Sequence, residues 1–103
     1  MATFEALQTS WTQLRQTLNS KCSGTGGTVG EHCTGAILRH AQISGRVGDW
    51  NALPGSDPRY DPVIAALNGA RQQLSAASGD AAMLAALASA QNAMSMVEAL
   101  LDG

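Results

Sequence analysis

The chain has 103 residues, of which 45% are hydrophobic and 14% charged, with a formal net charge of −2. That length accommodates one domain, residues 1–103; the apolar content argues against disorder, and the lack of a basic stripe argues against nucleic acid as a partner. The charged fraction falls below the roughly 25% usual for globular domains, so Ala, Ser, Thr, Gln and Gly make up much of the surface, a composition compatible with a protein that sits inside an assembly.

In chain order, the first predicted helix runs from about Thr3 to Cys22. Phe4, Leu7, Trp11, Leu14 and Leu18 recur at alternating spacings of three and four. At about 100° per residue they occupy a narrow seam, with Cys22 on its edge. Ser23–Gly30 (SGTGGTVG) holds four glycines and predicts a flexible connection, because glycine is a poor helix-interior residue. A second helix follows over Glu31 to about Val47, with Cys33, Ala36, Ile37, His40, Ser44 and Val47 on one face and a frayed end at Gly45 and Gly48.

Asp49–Asp61 reads as a loop, its Pro54-Gly55 pair marking a turn. Trp50, Leu53 and Tyr60 give it enough apolar mass to fold over the bundle. Asp61 as N-cap and Pro62 as first helical residue predict the start of a third helix, carrying Val63, Leu67, Ala70, Leu74 and Ala77 inward. Gly79 stops it and Asp80 caps a fourth helix, Ala81 to about Leu101, so the last two helices form an antiparallel hairpin. The expected fold is all-α, a small single-domain bundle of about four short helices.

Cys22 and Cys33 bracket the glycine-rich connection. If the first two helices are antiparallel the sulfurs meet, and a disulfide closing a loop of this size contributes roughly 3 kcal/mol in the chain-entropy model. Two buried thiols acting as small hydrophobes are the plain alternative. A third reading, zinc held by Cys22, His32, Cys33 and His40, fails on geometry. Adjacent His32 and Cys33 diverge by about 100° on a helix, Cys33 and His40 lie about 10 Å apart, and the spacing matches no usual zinc pattern. No metal site is expected.

His40, in the middle of an apolar face, reads as a buried histidine with one nitrogen hydrogen-bonded rather than as an acid, base or pH sensor. Gly24–Gly30 shares glycine density with phosphate-binding loops but follows no strand and lacks both the Gly-Lys-Ser/Thr ending and the G-x-G-x-x-G register. Asp49, Asp57 and Asp61 lack EF-hand spacing, and turn or capping roles account for Asp57 and Asp61. No Ser-His-Asp or Cys-His constellation assembles. The expectation is a non-enzyme with no catalytic residue, no cofactor and no small-molecule substrate.

The fourth helix has one charge between Ala81 and Leu101, Glu98. Met83, Leu87, Met94, Val97 and Leu101 form one stripe, expected to face inward. Ala85, Ala93, Met96 and Leu100 form a second apolar sector, expected to face outward as an interface with another copy or another protein. These features predict a protein–protein association or assembly subunit, most simply a two-fold homo-oligomer. Small size and low charge suit an accessory component of a secretion, phage or cell-envelope assembly. A thiol-based redox or metal-responsive module centred on Cys22 and Cys33 is the alternative.

No apolar run approaches the roughly 18 residues of a membrane span, and the amphipathic N-terminus lacks the apolar core of a secretory leader. A cytoplasmic protein, leaderless export and a processed precursor are all compatible with that; a disulfide would favour an extracytoplasmic setting.

Overall fold

A computed structural model describes residues 2–103. The first helix, α1, spans Phe4–Cys22 and begins where the Thr3 hydroxyl accepts the Ala6 N–H. Its buried seam is Leu7, Trp11, Leu14 and Leu18, with Phe4 and Cys22 half-buried at either end.

The second helix, α2, spans Gly27–Ser44, one turn earlier at both ends than its sequence suggests. The connection shrinks to residues 23–26 because Thr25 folds back, its N–H and hydroxyl both donating to the Cys22 carbonyl. Gly24 and Gly27 take positive φ, 75° and 61°, where a side chain would be strained. Burial of Val29 and Cys33 holds Gly27–Gly30 helical despite its composition, a case of packing outweighing propensity. The helix ends at Gly45, so Val47 is not on the α2 face. It begins a short helix, α3, Val47–Asn51, and is 61% exposed.

Helix α4, Tyr60–Ala76, starts upstream of the expected Asp61-Pro62 pair. The chain carries two Asp-Pro pairs four residues apart, and the first makes the turn. Asp57 Oδ1 accepts the Arg59 N–H at 2.8 Å, and the Tyr60 N–H returns to the Asp57 carbonyl. Pro62 then falls in the first helical turn, where its missing N–H costs nothing. Gly79, at φ 87°, reverses the chain into α5, Asp80–Asp102.

Each long helix packs on two others: α1 on α2 and α4, and α5 on α4 and α2. Cys22–Cys33 and Trp11–Ser44 make α1 and α2 antiparallel. Lys21 Nζ, donating to the Ala77 carbonyl, joins the ends of α1 and α4 and makes them parallel. The hairpin of α4 and α5 is antiparallel, bridged by Ser89 and Gln73. Residues 45–59 therefore cross the base of the bundle diagonally. They cap it with Trp50, whose indole N–H donates to the Ile43 carbonyl, and tie it to Tyr60, whose hydroxyl donates to the Pro54 carbonyl. An isolated antiparallel bridge, Thr3 to Ser56, stitches this cap to the N-terminus.

The outward sector expected on α5 is not there. Ala93 and Leu100 are buried in the core, Met96 is half-buried against it, and Ala85 alone is exposed. Two neighbours make the buried arc of α5 about 140° wide, running through Met83, Ala86, Leu87, Ala90, Ala93, Met94, Val97 and Leu100. Ser89, on the same flank as Ala93 and Leu100, bonds to Gln73 of α4, so the helix that these small residues admit is the chain's own. Leu101, expected inward, lies half-buried at the terminus. By length and averaged composition α5 is long and apolar enough to span a membrane, a property that a bundle's core helix shares, and no unbroken apolar run of that length exists. Its core-facing arc packs on α4 and α2.

Candidate functional site

Cys22 closes α1 and Cys33 lies in the second turn of α2. Their sulfurs are 2.08 Å apart, at disulfide-bond distance, with the Cα atoms 5.8 Å apart. Cys33 is buried and Cys22 half-buried. With the sulfurs engaged to each other, the four residues considered for zinc form no ligand set. No group of three or more His, Cys, Asp or Glu is arranged for a metal among the described residues.

At the other end of the α1–α2 pair, His40 is 2% exposed and stacks on the Trp11 indole, with ring centroids 3.8 Å apart and planes 13° from parallel. Its Nε2 lies 2.8 Å from the Trp11 carbonyl. A carbonyl only accepts, so the proton sits on Nε2 and Nδ1 keeps its lone pair. Ser44 Oγ is 3.4 Å from that nitrogen, but it accepts the Trp11 indole N–H at 3.0 Å and donates to the His40 carbonyl at 2.8 Å. The hydroxyl is thus already committed, and the trio locks α2 to α1. Desolvation lowers the His40 pKa, the nearby Arg15 charge acts in the same direction, and the Trp11 carbonyl partly offsets them.

Beside this trio lies a shallow cleft of about 270 Å³ lined by Gln8, Trp11, Thr12, Ser44, Val47, Trp50 and Asn51. No lining residue is ionisable. The cleft offers indole edges, amides and hydroxyls, a lining for neutral contact rather than for proton transfer.

Helix α2 also meets α5 through a polar clasp that sequence reasoning missed. The Arg39 guanidinium pairs with Glu98 and donates to Gln91 Oε1 and Ser95 Oγ, each at 2.8 Å. Glu98 is the one charge between Ala81 and Leu101, and its isolation within that stretch was the available signal that a partner waited on another helix.

The clasp draws Arg39 off the outward face of α2. What remains there is Glu31, Thr34, Gly35, Leu38, Ala41, Gln42 and Gly45, all exposed and within an arc of about 120°. Leu38, at its centre, is 56% exposed. A Cβ at Gly35 would point into open space among the described residues.

Comparison with protein-family models, curated proteins and solved structures finds no match.

Proposed function

We propose that the protein is a non-enzymatic association module whose contact surface is the outward face of α2, with a second copy of the chain as its simplest partner. The observation that carries this reading is the exposure of Leu38, 56%, at the centre of a helix face whose one charge is Glu31. A solvent-facing helix surface is ordinarily charged or polar, whereas an exposed leucine stands at the centre of this one. Here Gly35, Ala41 and Gly45 beside Leu38 leave room for another backbone to approach, and the cleft carrying exposed Val47 lies at the foot of the same helix.

The face from Thr34 to Gly45 is about 17 Å long at 1.5 Å per residue. At one helix diameter wide, about 10 Å, it covers roughly 170 Å², small beside the roughly 800 Å² per partner of standard interfaces, so weak self-association, at micromolar concentrations or above, is expected. Sedimentation velocity over a concentration series tests it. Wild type should shift towards dimer as concentration rises, and Leu38→Glu should remain monomeric with an unchanged far-UV circular dichroism spectrum. A wild type that is monomeric throughout the series removes the self-association reading.

A further inference from the structure

The two halves of α2 are held in different ways. Its second half is anchored by side chains that reach other helices: Arg39 to α5, and His40 and Ser44 to Trp11 of α1. Its first half, residues 27–35, has no such anchor among the described residues. The side-chain bonds made there are local, His32 to the Thr28 carbonyl and Thr34 to the Gly30 carbonyl. Buried apolar contact in this stretch comes from Val29 and Cys33.

Local preference does not compensate. The segment reads Gly-Thr-Val-Gly-Glu-His-Cys-Thr-Gly, in which Glu31 is the one strong helix former and three residues are glycine. Gly26 occupies the N-cap position and supplies no capping side chain. Beyond the burial of Val29 and Cys33, what fastens the segment to the bundle is the Cys22–Cys33 link, in which Cys22, half-buried at the end of α1, is the more exposed partner.

We propose that the Cys22–Cys33 disulfide is a redox-dependent latch on the first half of α2. Joined, it keeps residues 27–35 helical and docked; reduced by a dithiol, it lets that segment unwind while residues 36–44 and the other long helices stay folded. In the reducing step a thiolate of the dithiol attacks Cys22 Sγ, the sulfur–sulfur bond breaks, and Cys33 leaves as a thiolate that takes up a proton. The second thiol of the reductant then displaces Cys22 Sγ, which is protonated in turn, and the reductant departs as its own disulfide. Two electrons pass to the protein. Val29 and a free Cys33 thiol become accessible. The inference rests on how α2 is held and is independent of any association through its outer face.

Amide hydrogen exchange followed by mass spectrometry on the full chain tests the latch, comparing oxidised protein with protein held in dithiothreitol. Losing a cross-link around a loop of this size should speed exchange in residues 28–35 about a hundredfold, with little change in α4, α5 and the second half of α2. The Cys22→Ser, Cys33→Ser double variant should reproduce the reduced pattern without reductant. Equal acceleration in every helix, or a double variant that fails to fold, would make the disulfide a staple of the whole bundle and overturn the latch. Unchanged exchange in residues 28–35 would overturn it equally.

Discussion

His40 is 2% exposed, its Nε2–H donating to the Trp11 carbonyl and its ring lying against the Trp11 indole. Burial lowers its pKa below the ordinary 6.5, so the unfolded chain takes up this proton more readily than the folded one. Stability from this group is therefore complete above about pH 7 and is lost as pH falls through about 6.5 and below. Thermal melts of wild type should decline between about pH 7 and 5.5, and His40→Gln should flatten that decline; parallel declines in the two would assign it to other groups. Asp57 acts in a lower window. The Arg59 guanidinium and N–H hold its carboxylate below the usual 3.8, so its contribution is present above that value and goes as pH falls through the folded pKa. Trp11 stacks on His40, bonds to Ser44 and tilts against Trp50, so Trp11→Ala should cost about 3–5 kcal/mol. Exposed Gln8→Ala should stay within about 0.5 kcal/mol, both read from urea unfolding.

At the scale of elements, α5 shows what periodicity leaves open. A stripe at spacings of three and four identifies a buried face, yet it does not tell how many neighbours share that face. Leu100 is 7% exposed against the α4 side, whereas Ala85 on the same helix lies in solvent. Leu100→Glu would bury an unpaired carboxylate and should destabilise the fold by about 4 kcal/mol or more. Ala85→Glu should be within about 0.5 kcal/mol of wild type. Circular dichroism melts separate the two, and a well-folded Leu100→Glu protein would mean that α4 does not cover this flank. The start of α4 makes a similar point. Both Asp-Pro pairs satisfy the local rule, and the decision fell to Asp57 because its backbone N–H also reaches the Ala2 carbonyl, drawing that residue into the base of the bundle.

For the whole molecule, the cross-link at one end and the aromatic seal at the other bracket a modest core. At the base, Trp11 and Phe4 each tilt against Trp50 while residues 45–59 cross from α2 to α4. At the far end, Cys22–Cys33 closes the α1–α2 turn. Thiol titration of the denatured, unreduced protein should find no free sulfhydryl, and reduction should lower the melting temperature only slightly, since the loss is confined to the first half of α2. Two titratable thiols in air-oxidised protein would contradict the pairing.

The sequence by itself determined the helical class, the seams of α1 and α4 and the reversal at Gly79, and it placed Cys22 and Cys33 at the two ends of one short connection. These are local matters: a period near 3.6, a glycine that takes positive φ, two cysteines at the ends of a short turn. It left a disulfide and two buried thiols both open; the structure brought the sulfurs to 2.08 Å. The sequence also marked His40 as buried, because a lone imidazole on an apolar face must satisfy its polar atoms inside. Only the tertiary structure decided that Ala93 and Leu100 belong to the core, that Arg39 turns away from solvent to meet Glu98, and that Leu38 is left outside. Each of those depends on which helices stand beside which, and the ring order follows from the diagonal path of residues 45–59. No local pattern encodes that path, since the packing energy that selects it is spread over contacts between residues far apart in the chain.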